Sequence, residues 1–175
     1  MRWFRRWRLP AERRPRLEPD ERVVAWATAT GDDVVVATNR GVWLPGAGER
    51  LGWHEIHKAT WSGRQLALVS ACEVAQQEGY FIVEDLPATV HTLLDPDRVP
   101  DQVRTRLTRS IAYSAHHRLP GGGGVRVVGR RVSGLDGLRW TVRPDAGTDF
   151  ADREIAALTS TFVAQAQAAV GVGAR

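Results

Sequence analysis

The stretch that decides the fold is ERVVAWATATGDDVVVATNRGVWL, residues 21–44. Two runs rich in Val, Thr and Trp, Arg22–Thr28 and Asp33–Thr38, are separated by Ala29–Asp32, where Gly31 supplies a turn. Asn39-Arg40-Gly41 makes a second turn before Val42-Trp43-Leu44. Further along, Pro45–Arg50 is a loop, Leu51–Trp61 holds one or two strands, and Ser62-Gly63-Arg64 turns the chain into Gln65–Val69. The polar Glu73–Gly79 reads as a connection to a last strand at Tyr80–Val83. Six or seven short strands with tight turns predict an antiparallel meander that rolls up on itself.

Downstream, Pro87, Pro96 and Pro100 punctuate a linker, and Pro100 suits the first turn of a helix over Asp101–Arg118. Val103, Leu107 and Ile111 form its apolar stripe, with Arg106, Arg109 and His116 on the other side. Pro120 and Gly121–Gly124 end it. Val125–Val132 and Leu138–Arg143 read as a hairpin closed by Ser133–Gly137. Asp149 is placed to N-cap a final helix, Phe150–Val170, whose narrow apolar stripe either covers the sheet or pairs with its twin in a homodimer.

Three pieces of the first half carry a family resemblance. Glu21-Arg22-Val23-Val24-Ala25-Trp26-Ala27 matches an "E-x-V-L" strand. Val34–Thr38 with Asn39-Arg40-Gly41-Val42-Trp43-Leu44 matches a strand ending "T-(D/N)-R" before a hydrophobic strand. Trp53-His54-Glu55-Ile56 matches "W-x-(E/D)-I". In this order the motifs resemble the bacterial pleckstrin-homology-like domains, over residues 18 to about 70, with the 101–118 helix as the closing helix. The chain is also similar to an actinobacterial family of about this length. The resemblance implies a seven-stranded roll capped by a helix, and a binding or scaffolding module rather than an enzyme. It brings no ligand residues, and Asp32 and Asp33 in the first strand–strand loop argue against a phosphoinositide site.

The 175 residues, 43% apolar and 25% charged, suit one unit able to bury its own core. We divide it into an arm at 1–16, a roll with its closing helix at 17–118, and a hairpin with a C-terminal helix at 119–175 packed on the same domain. No apolar run is long enough for a membrane span, and the arginine-rich start has no apolar region behind it, so no secretory signal is expected. The single Cys72 excludes a disulfide framework and suits a cytoplasmic protein, with Cys72 itself read as a small core residue.

The net charge of +4 conceals large opposing blocks: +6 over residues 1–16, −8 over 17–97, +8 over 98–143 and −2 over 144–175. Such asymmetry points to an anionic partner or to surfaces that complement one another within the chain. In the arm, Trp3, Phe4 and Trp7 share one face of any helical coil, with Arg2, Arg5, Arg6 and Arg8 around them. That composition suits peripheral contact with an anionic membrane surface, or nucleic-acid phosphates with base stacking, or a solvated tail.

In the hairpin, alternation puts Leu138, Trp140 and Val142 on one side and Arg139, Thr141 and Arg143 on the other. Pairing Val127 with Val142 keeps the apolar faces together and sets Arg130 opposite Arg139 and Arg126 opposite Arg143. Opposed like charges destabilise a ladder by a few tenths of a kcal/mol to about 1 each, so anions should match them. Carboxylates of the acidic block, such as Glu84, Asp85, Asp95 and Asp97, are one source. An acidic protein surface or nucleic-acid phosphates are the others.

Catalytic patterns are few. His54-Glu55-Ile56-His57 lacks the i, i+4 spacing of a zinc-protease helix because Lys58 stands in the fifth position, and on a strand the two His would point to opposite faces. His116 and His117, about 100° apart on a helix, chelate poorly, and a site joining His91 to His116 needs a distant acid. Gly121–Gly124 lacks the Lys-Ser/Thr of a phosphate loop, and no nucleophile elbow is present. The sequence therefore reads as an α+β, non-catalytic binding or regulatory protein without cofactor or metal, recruiting an acidic protein partner. A nucleic-acid-binding protein and a His-based metal-dependent enzyme are the rivals.

Overall fold

The computed structural model describes residues 9–172, and the arm residues Arg2, Trp3, Phe4, Arg5, Arg6, Trp7 and Arg8 lie outside them. β1 (Val23–Thr28), β2 (Val34–Thr38), β3 (Gly41–Trp43) and β4 (Arg50–Gly52) form a four-stranded antiparallel sheet in that order. A 3-10 turn at Trp53–Glu55 then leads into the second sheet. This contains β5 (Ile56–Ser62), β6 (Gln65–Gln77), β7 (Tyr80–Asp85), β8 (Thr89–Thr92), β9 (Ile111–Arg118), β10 (Gly124–Arg131) and β11 (Leu138–Pro144). Its order is β5-β6-β7-β11-β10-β9, with β8 also paired to β6. Two helices complete the α+β fold: α1 (Val99–Ser110) and α2 (Arg153–Val172).

The expected strands of residues 22–44 are found nearly to the residue. The resemblance motifs meet at one corner. Glu21 is buried and accepts hydrogen bonds from Thr38 Oγ1 at 2.7 Å, Trp43 Nε1 at 3.1 Å and Arg50 Nη1 at 2.6 Å. The Trp53 indole donates to the Thr38 carbonyl at 3.2 Å, and the Glu55 carboxylate takes the Gly52 N–H at 2.6 Å. Asn39 Oδ1 takes the Arg22 N–H at 2.7 Å, while Arg40 bridges to Glu18 and Asp20. Glu, Thr, Asn, Arg and Trp at these positions are thus one another's partners. Gly41 is there because a Cβ would sit 2.3 Å from the Leu51 carbonyl oxygen across β3–β4.

Two cores lie along the molecule. The first gathers Ala25, Ala27, Val35, Ala37, Val42, Trp53, Ile56, Leu66, Leu68 and Leu93, with Val99 and Val103 of α1 closing its end. The second gathers Tyr80, Ile82, Val125, Val127, Trp140 and Val142 beneath Val163 and Ala166 of α2. β6 gives Leu66 and Leu68 to the first core, and it pairs with β5 and β8 in its first half and with β7 in its second.

Five expectations need correcting. The helix placed at 101–118 ends at Ser110, and Ile111–Arg118 is β9. Ser110 Oγ bonds back to the Leu107 carbonyl at 2.7 Å, and β10 offers residues 111–118 a full antiparallel ladder, which overrides their helical spacing. Glu73–Gly79 is mostly strand: β6 continues to Gln77 because β7 pairs with it, and its side chains there, Val74 included, are exposed. Within the proline-punctuated linker, Thr89–Thr92 pairs with Gln65–Leu68. The arrangement is not wholly antiparallel, since β11 runs parallel to β7 through Thr141–Phe81 and Val142–Ile82. Cys72 is exposed, on a β6 segment that neither core covers.

Candidate functional site

The hairpin register is as read from the alternation: Val127 faces Val142, Arg130 faces Arg139, and Arg126 faces Arg143. Its apolar side builds the second core, which turns the arginine side toward the Trp53–Glu55 turn, β5 and β7. Each arginine meets a different environment there. Arg139 pairs with Glu73, and its guanidinium lies 4.1 Å from the centroid of the Phe81 ring. Arg143 donates to Asp85 at 2.9 Å, and the other Asp85 oxygen holds His57 Nδ1 at 2.5 Å. Arg126 reaches only the Ser114 hydroxyl, at 3.5 Å, among the described residues.

Arg130 is 4% exposed and has no carboxylate within ion-pair distance among the described residues. Its Nη1 donates to Ser110 Oγ at 3.0 Å and to the Trp53 carbonyl at 3.4 Å, while its buried Nε has no acceptor. The next residue, Arg131, donates to the Arg109 carbonyl at 3.0 Å. Arg131 therefore caps the C-terminal end of α1, where the helix dipole favours positive charge, while Arg130 holds the side chain of the last helical residue, Ser110. Burial lowers the pKa of Arg130, but a guanidinium stays protonated in a protein. Arg130 is the rivet between the two cores rather than a free anion-binding group.

The histidines do not assemble a metal centre. His54 lies in a 3-10 turn rather than on a strand, so it and His57 both feel the Arg130 charge. Burial pushes both below the usual imidazole range. For His57 the attraction of Asp85 works against burial, and the repulsion of Arg130 and Arg143 works with it. His116 holds Asp145 at 2.8 Å, and His117 stacks on Phe162 of α2 at 4.2 Å. Burial also lowers His91. No group of three or more His, Cys, Asp or Glu among the described residues is arranged to hold a metal. Nor is any helix among them long and apolar enough to cross a membrane.

Sequence reasoning missed a second basic surface. Arg106 of α1 is lowered first by burial and then by the neighbouring charges of Arg109 and Arg22. The Arg131 bond to the Arg109 carbonyl brings a fourth guanidinium to the same end of the helix. None of these four has an ion-pair partner among the described residues, whereas Arg139 and Arg143 do. The signal was present in the spacing of Arg106 and Arg109, three apart on one helix, but Arg22 and Arg131 reach them only through the tertiary fold.

A third feature is a groove of about 920 Å³ along β1, lined also by Leu9, Arg14, Leu94, Asp95, Asp97 and Arg98. Against known protein families, curated proteins and solved structures, the chain matches none.

Proposed function

We propose that this chain is a non-catalytic binding module that recruits a protein partner through an acidic surface docking on Arg22, Arg106, Arg109 and Arg131. The observation that supports it is the clustering of these arginines without carboxylates among the described residues, at the price of mutual repulsion at Arg106. Like charges held together are relieved by an external anion, and guanidinium groups suit paired carboxylates. The four hairpin arginines play a smaller part in this reading, since two are paired and one is riveted to α1; Arg126 remains a rim contact.

The finer reading of the fold belongs to the same proposal. The four-stranded sheet, the β5-β6-β8 sheet and α1 plugging the open end correspond to the roll and capping helix of the pleckstrin-homology-like domains. The Ala29–Leu93 bridge, which joins the end of β1 to the end of β8, supports it. So does the corner at Glu21, which gives the resemblance motifs a shared structural task.

Binding of the full-length chain to poly-glutamate, to phosphatidylglycerol vesicles and to duplex DNA, each across a salt series, tests the proposal. The expected result is saturable binding of poly-glutamate that falls at least tenfold in Arg106→Glu/Arg109→Glu. Tighter binding to DNA, weakening steeply with salt as phosphates are neutralised, would instead favour a nucleic-acid partner. Preference for the vesicles would favour a lipid surface.

A further inference from the structure

We propose that the open edge of β9 takes up an extended acidic segment of the protein partner as an added β-strand. The inference rests on the adaptor reading and gives that partner a form. β9 ends the second sheet and pairs with β10 on one side only. The Asp145 N–H donates to the Gly124 carbonyl at 2.8 Å, so Gly124, Arg126 and Val128 turn their backbone groups toward β11. Val125, Val127 and Gly129 then exchange hydrogen bonds with His117, Ala115 and Tyr113 of β9. The N–H and C=O groups of Ser114, His116 and Arg118 point outward, with no backbone partner among the described residues.

Charge decides what this edge accepts. Side chains alternate, so Tyr113 and His117 face the second core and α2, while Ser114, His116 and Arg118 stay exposed on the other side. Arg126 stands opposite His116 in the ladder, and Arg109 and Arg131 lie where α1 hands over to β9. None of these four arginines has an ion pair among the described residues, and the nearby Asp145 is held by His116. An added strand puts every second side chain on that face, where carboxylates meet guanidinium groups while the backbone completes the ladder. A second copy of β9 brings the same unpaired arginines, so self-pairing gathers like charge on one surface. β9 also holds no Pro, Lys or acidic residue, the side chains that commonly close an edge. β6, where it runs on beyond β5, carries Glu73 and turns at Glu78 instead.

Titration of the full-length chain with an acetylated octapeptide alternating Glu and Thr tests the proposal. The same peptide N-methylated at alternate amides, in either phase, keeps the charge and loses strand hydrogen bonds. Saturable binding of the parent peptide is expected, at least tenfold weaker for one of the two methylated phases. Amide exchange at Ser114, His116 and Arg118, followed by NMR, should slow at least tenfold when the parent peptide is bound. Equal affinity for all three peptides, or unchanged exchange at those amides, would overturn strand addition. The adaptor reading would survive that outcome if poly-glutamate still binds and is lost in Arg106→Glu/Arg109→Glu; binding of neither ligand would remove both. Exchange that slows with protein concentration alone would show a second copy on the edge and overturn the proposal as well.

Discussion

The corner at Glu21 and the junction at Arg130 each bury one charge, and they treat it in opposite ways. Glu21, whose side chain is fully covered, is surrounded by donors: a hydroxyl, an indole N–H, a backbone N–H and a guanidinium. Burial alone would raise its pKa, but the hydrogen bonds from Thr38, Trp43 and Glu18 and the Arg50 charge hold it below the usual carboxylate range. Arg130 has two neutral acceptors, a helix end and a leftover Nε. The first charge is compensated and structural to the four-stranded sheet. The second is tolerated because it ties the Trp53–Glu55 turn and the end of α1 to the second sheet.

The largest effect should come from breaking the compensated charge. Glu21→Leu leaves Arg50, Thr38 and Trp43 without their shared acceptor, and should cost about 3–5 kcal/mol in equilibrium urea unfolding. A cost below about 1 kcal/mol would erase the contrast between the two sites. Because the folded pKa of Glu21 is lowered, its stabilisation is present above the unfolded value near 4.3 and is lost as pH falls from there through the folded pKa. Acid titration of stability should show this decline in the natural chain and a weaker one in the variant.

Arg130→Met should cost less, about 1–2 kcal/mol. It forfeits charge-assisted bonds to Ser110 and Trp53 but also removes the unpaired Nε, and Ser110 keeps its bond to the Leu107 carbonyl. A loss equal to that of Glu21→Leu would show the junction to be as tightly compensated as the corner. The histidines near it sharpen the point. With pKa values lowered by burial, His54 and His57 stabilise the fold when neutral, so stability drops as pH falls below about 6.5. Asp85→Asn should lower His57 further, a shift that NMR titration of the ring would read; an upward shift would contradict the contact. The smallest effect is expected for Arg139→Gln, about 0.2–1 kcal/mol, because its pair with Glu73 is partly exposed.

Legibility in the sequence followed local chemistry. The register of β10 and β11 could be read because joining the apolar faces through Val127 and Val142 fixes the parity of the pairing, and the short connection at residues 132–137 fixes its offset. The first turns were legible because Gly31 and Gly41 occupy positions that the backbone constrains. What escaped was decided across the chain. Residues 111–118 have helix-compatible spacing, and only the ladder with β10 makes them a strand. Glu73–Gln77 look like a loop because one edge-facing stretch of β6 stays wet, and placing it in a loop hid Glu73 as the partner of Arg139. Asp85 was within the acidic residues expected to pair with the arginines, and it does. The α1 cluster needed the contact between Arg131 and Arg109, which no local pattern contains.

The parallel pairing of β7 with β11 has a consequence for how the chain leaves the ribosome. β5, β6 and β8 can pair as soon as they emerge, but the second edge of β7 must wait until β11 has been made. During that interval β6 and β7 form an unfinished sheet, open to strands of other nascent chains. Glu73, Gln76, Gln77 and Glu78, all exposed, keep the tip of the β6–β7 hairpin polar, the kind of side chain that discourages pairing at an open strand edge.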